Sequence, residues 1–129
     1  MIKAIAVVAM VLIPTLGLAH EMSPGLETEI ALNNSVTKVY ELTNKYPHAS
    51  VYEVEVLTKD YKPAKDWEAE KTIYKMLPNS VKQIKLKIRA DTNRKILVCT
   101  TLKEIGKQNE KAFISSRVCS RLIILSSGK

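Results

Sequence analysis

A reactive centre in this 129-residue chain would have to be built from two cysteines, two histidines and a few clustered carboxylates. Cys99 and Cys119 are separated by 19 residues, far from the Cys-x-x-Cys spacing of a redox pair or zinc knuckle, so their expected role is structural. A hydrolytic triad or metal site needs histidine. His48 sits beside Pro47 in a turn-forming stretch and His20 near the start of the chain, and each reads as an isolated, solvated side chain. Asp66, Glu68 and Glu70 are interleaved with Lys65 and Lys71, which describes a solvated loop better than a paired acid and base. Trp67, the only tryptophan, is in the same loop: it either folds back over the core or stands out as a contact for a partner. No catalytic residue, metal ligand or cofactor site is assigned, and a protein-binding role is expected.

The element that positions the cysteines is the C-terminal third, Arg94 to Leu125. Two apolar-alternating runs flank Lys107-Gln108-Asn109-Glu110-Lys111, the pattern of a long β-hairpin. With Asn109 at the centre, antiparallel partners have numbers summing to 218, so Cys99 falls opposite Cys119. Ile96, Val98, Thr100 and Leu102 then share a face with Leu122, Ser120, Val118 and Ser116, and both cysteines point to the other. A cross-strand disulfide is expected; the alternative is two free thiols.

The first residues indicate an oxidising compartment. Lys3 is followed by an apolar run from Ala4 to Leu18, broken by Pro14 and closed by Gly17-Leu18-Ala19, as in a secretory signal peptide cleaved after Ala19. The run is shorter than the roughly 20 residues of a membrane-spanning helix, so no stable membrane insertion is expected after cleavage. The mature chain would be His20 to Lys129, one domain with a single core. Loss of Lys3 leaves 19 Lys and Arg against 13 Asp and Glu, a net charge of +6. The basic residues are spread from Lys38 to Lys129, and one Phe and one Trp offer little to stack on bases, which argues against nucleic-acid binding.

From Met22 onward, short runs of alternating or β-branched residues are separated by turn-forming clusters, the signature of an all-β sandwich. Strands are expected over Gly25–Leu32, Val36–Thr43, Ser50–Thr58, Thr72–Met76 and Val81–Arg89, with Lys59 to Lys71 as a surface loop. The hairpin completes a seven-stranded immunoglobulin-like sandwich. In Val81–Arg89, Ile84, Leu86 and Ile88 face inward and Lys85, Lys87 and Arg89 face water.

Four stretches resemble the N-terminal, immunoglobulin-like domain of the periplasmic chaperones of the chaperone–usher pilus pathway. They are Ser23-Pro24 at the head of the first strand, Val39-Tyr40-Glu41-Leu42-Thr43-Asn44, Leu77-Pro78-Asn79-Ser80 followed by Ile84-Lys85-Leu86, and Leu102-Lys103-Glu104-Ile105 with Asn109-Glu110-Lys111-Ala112 and the last strand. The resemblance implies a periplasmic protein that binds pilus-type subunits without chemistry. Its last strand would complete a subunit's sheet by β-strand addition, with Ile114, Ser116 and Val118 as the side chains offered to the subunit.

Two departures accompany this likeness. The family anchors a subunit's terminal carboxylate with an arginine and a lysine, whose places align with Leu26 and Ile123, leaving Arg121 as the candidate anchor. The sequence also stops at Lys129, where the family would begin a second domain. A single-domain chaperone-like protein is therefore the leading expectation. The alternative is a structural or accessory subunit of a conjugative or secretion apparatus. A fragment of a two-domain chaperone is a third reading, which would leave Leu122 to Leu125 exposed.

Overall fold

The computed structural model describes residues 20–105, 110–111 and 116–126. The expected signal peptide and Ile114 lie outside them.

The alternation of apolar and polar residues places ten strand segments in two sheets. They are β1 (His20–Ser23), β2 (Leu26–Ala31), β3 (Ser35–Asn44), β4 (Ser50–Thr58), β5 (Trp67–Ala69), β6 (Ile73–Met76), β7 (Val81–Arg89), β8 (Arg94–Ile105), β9 (Glu110–Lys111) and β10 (Arg117–Ser126). One sheet has the order β1-β3-β7-β5 and the other β2-β10-β8-β4-β6, with β9 pairing β8. The all-β, immunoglobulin-like class expected from the sequence holds, with more segments than the seven strands read there. The first strand is two pieces, β1 on β3 in one sheet and β2 parallel to β10 in the other. A cis Ser23–Pro24 bond and Gly25 lie where the chain passes between sheets. The stretch read as loop from Lys59 to Lys71 contains β5, paired with β7.

The core lies between the sheets. Tyr40 and Leu42 from β3, Ile84, Leu86 and Ile88 from β7, and Tyr52, Val54 and Val56 from β4 are buried against Ile96, Val98, Leu122 and Ile124 of the hairpin. Each such aliphatic side chain contributes about 1.5–3 kcal/mol by leaving water. Lys85, Lys87 and Arg89 are exposed between the buried positions of β7. Leu122 and Ile124 are fully buried within this one domain. Ile123 is half-buried and Leu125 is 40% exposed, so the stretch Leu122 to Leu125 alternates between the core and the outer face.

Turn chemistry fixes the corners. Asn33 and Asn34 both have φ near +60°, and Leu32 and Ser35 bond each other across them, which makes a two-residue hairpin of the kind whose twist suits adjacent strands. At the Leu77-Pro78-Asn79-Ser80 turn, Asn79 takes a φ of 55°, doing there what glycine would do.

Candidate functional site

The hairpin of β8 and β10 has the register the sequence implies: Arg117↔Thr101 through Ile124↔Arg94, every pair summing to 218. The thiols are opposite and joined, with Cα atoms 4.0 Å apart. The Leu102 N–H donates to the Ser116 carbonyl, so by antiparallel alternation Cys99 and Cys119 occupy a pair that does not exchange backbone bonds, where side chains come closest.

The same alternation identifies the open edge. Backbone groups of Ser116, Val118 and Ser120 point toward β8, and those of Arg117, Cys119 and Arg121 point away. From Arg121 onward the far side is filled by β2, beginning with the Arg121 N–H donating to the Gly25 carbonyl. Among the described residues, no strand covers Arg117 and Cys119, so their N–H and C=O groups face outward. The Ser120 hydroxyl donates to the Pro24 carbonyl at 2.6 Å and closes the seam where the covered half begins.

Ser116 and Val118 are both half-buried on the core-facing side of this open segment, with Val118 packed against the core. Arg117 is on the outer side, its Nε donating to Thr101 Oγ1 and its guanidinium 3.6 Å from Glu55 Oε1. Lys103 and Glu53 make a similar pair. These exposed bridges are worth no more than about 1 kcal/mol each and mainly hold the β10–β8–β4 surface in register. Arg121 is exposed on the outer face, paired with Leu26 of β2, and does not share a side with Ser116 and Val118.

Behind the open edge is a buried polar line. His20 is fully buried, which corrects its reading as a solvated side chain at a ragged end: β1 zips its backbone to Asn44 and brings the ring against Tyr52, centroids 4.6 Å apart. Its Nε2 lies 3.2 Å from the Thr100 carbonyl and 3.1 Å from Thr100 Oγ1, while Nδ1 has no hydrogen-bond partner among the described residues. Burial lowers its pKa below the ordinary imidazole value, with the Thr100 carbonyl opposing. The Tyr52 hydroxyl donates to Asn44 Oδ1 at 2.7 Å. Asn44 also accepts from the Tyr46 N–H and donates to the carbonyls of His48 and Leu77, tying two turns to the core. This is the residue that ends the Val39–Asn44 motif.

Beyond the open segment of β10 the same edge of the six-stranded sheet is formed by β2, and there it is protected. Lys38 of β3 points between the sheets, buried, and its Nζ lies 3.1 Å from Glu27 Oε1 and 3.0 Å from Glu29 Oε2 of β2. Inward-pointing charge on an edge strand is a standard defence against pairing with a foreign chain. β2 thus carries a guard that the open half of β10 lacks. Sequence reasoning missed both Lys38 and His20, since each occupies an apolar position in an otherwise regular alternation. Trp67 lies on β5, at the edge of the opposite sheet, half-buried and packed on the core. His48 is exposed. No group of three His, Cys, Asp or Glu among the described residues is placed to hold a metal ion.

No protein-family model matches the chain, and no curated protein matches it by sequence. Solved structures do. The Salmonella enterica SafA pilin in complex with the SafB chaperone matches with a TM-score of 0.67 at 15% identity, and the E. coli chaperone DraB with 0.66 at 11%. The fold is that of a pilus-chaperone N-terminal domain. The matches cover 88% and 84% of this chain but 57% and 55% of those chains, so it spans a little over half their length. The C. elegans protein WR4, of the MSP family, matches with a TM-score of 0.64 at 7% identity and is covered over 97% of its length. The same fold therefore makes up nearly all of that chain.

Proposed function

We propose that this protein is a periplasmic, chaperone-like binder of pilus or other surface-appendage subunits, exported by the signal peptide of residues 1–19 and acting through the single domain of residues 20–129. It holds its client by β-strand addition and does no chemistry. The observation that carries this reading is the open edge at Arg117 and Cys119, where backbone donors and acceptors face outward beside half-buried Ser116 and Val118. The guard on β2 supports it, because along this one edge the part formed by β2 carries inward-pointing charge and the part formed by β10 is left available. The pilin complex of SafB shows a protein of this fold with a client of that kind. Ile114, Ser116 and Val118 fill the client's groove, and Arg121, on the other face, is not part of this grip.

The test is a pull-down of envelope subunits with Arg117→Pro against Arg117→Ala. Both lose the ion pair to Glu55, but only proline removes the outward N–H, and neither breaks the ladder to β8. Strand addition predicts that Arg117→Ala recovers client and Arg117→Pro recovers much less, with both variants folded and disulfide-linked. Equal recovery by both refutes it, and equal recovery of one stable large assembly moves the structural-subunit alternative ahead.

A further inference from the structure

The outer face of the six-stranded sheet should be polar, since nothing in the sandwich packs on it. Instead a single row across four strands reads Leu26, Arg121, Leu97, Leu57. Leu57 and Leu97 join the disulfide in a second apolar cluster separate from the core, under the turn that follows β4. That turn carries Tyr61, 63% exposed and held at a φ of 63°. Leu26, 64% exposed, and Ile123 complete a groove of about 340 Å³.

The groove's charge is one-sided. Lys59, Lys95 and Arg121 line it without a carboxylate, and none of the three makes an ion pair among the described residues. Asp60 belongs to the neighbouring depression that shares Lys59, Lys95 and Ile123, and Glu55, beside the disulfide on the same face, is paired with Arg117. The floor strands β10 and β8 are interior here, so their backbone bonds are already made on both sides. A peptide laid in the groove would find no partners for its own amides. An alkyl chain needs none.

We propose that this groove binds a single-chain amphiphile with an anionic head, an alkyl carboxylate by chemical class. The chain rests on Leu26, Leu97 and Ile123 under Tyr61, and the carboxylate is held by Arg121 and Lys95. The site is independent of the open edge of β10 and does not rest on strand addition.

The experiment is calorimetric titration of the purified protein, expressed from the full gene, with dodecanoate below its micelle concentration. Dodecanol, dodecyltrimethylammonium and an acidic apolar peptide are titrated in parallel. One equivalent of dodecanoate is expected to bind, at least tenfold tighter than either uncharged or cationic analogue. Arg121→Glu and Lys95→Glu should each weaken it at least fivefold, and Leu26→Asp at least tenfold, while Lys85→Glu on the opposite sheet changes nothing. All four positions are exposed, and unfolding midpoints confirm intact folds. The proposal is overturned by absence of saturable dodecanoate binding, by equal binding of the three head groups, by an equal effect of Lys85→Glu, or by binding of the peptide alone.

Discussion

Asn44→Ala should be among the most damaging single substitutions in this protein, although it touches no partner. The side chain is fully buried and uses all four of its hydrogen-bonding positions: to the Tyr52 hydroxyl, the Tyr46 N–H, and the carbonyls of His48 and Leu77. Truncation strands the Tyr52 hydroxyl in the core at a cost of about 1–3 kcal/mol, and each of the three turn contacts, free to find water, adds about 0.5–1.5. The expected loss is about 4 kcal/mol, against a total of about 5–15 for a domain. In urea, with an m-value of about 2 kcal/mol/M, the midpoint should fall by about 2 M. Tyr52→Phe, which leaves Asn44 Oδ1 its bond from Tyr46, should cost only about 1 kcal/mol. Because Asn44→Ala is costly partly through the stranded hydroxyl, the double variant should be less destabilised than the sum of the singles, by about 1–2 kcal/mol. A loss below 1 kcal/mol for Asn44→Ala, or strict additivity, would refute the reasoning.

Other consequences follow from the same structure. His20 has a folded-state pKa below its ordinary value, so the unfolded chain takes up a proton that the folded one resists. Stability is therefore full above about pH 6.5 and falls by up to about 1.4 kcal/mol per unit as pH drops below that toward the lowered value. Urea midpoints at pH 7 and pH 5 should show this slope in the native chain and a shallower one in His20→Phe. Reducing the Cys99–Cys119 bridge, which closes a loop of 20 residues, should cost about 3 kcal/mol in the same assay. Replacing Glu27, Glu29 and Lys38 together with valine should leave the fold intact but remove the guard from β2, so that size-exclusion chromatography shows concentration-dependent association.

The sequence displayed the hairpin most clearly, because two independent constraints, a period-two alternation and a pair of cysteines, agree on one register. The β7 strand was equally legible from its alternating Lys and Ile or Leu. What escaped was the structure made by short or chemically mixed segments. β1 has four residues, and the signal for it was only that His20 and Met22 alternate with Glu21 and Ser23; nothing local shows that His20 will stack on Tyr52 and bond Thr100, 80 residues away. β5 is three residues whose Trp67 and Ala69 alternate inward, too few to outweigh the charges around them. Asn44 was visible as a motif residue, but its reason, tying two turns to the core, requires the fold. The open edge was only half legible: Val118 and Ser116 could be placed on a face, whereas the free backbone of Arg117 and Cys119 depends on where the parallel strand β2 stops.

The most direct measurement of the central claim is amide hydrogen exchange at Arg117 and Cys119, in the free protein and in the complex recovered with an envelope subunit. Strand addition predicts that both amides exchange quickly in the free protein and become strongly protected in the complex, while Leu102 and Arg121, already bonded, change little. If Arg117 and Cys119 remain unprotected in a complex that has formed, the client is held elsewhere and the account of the β10 edge is wrong.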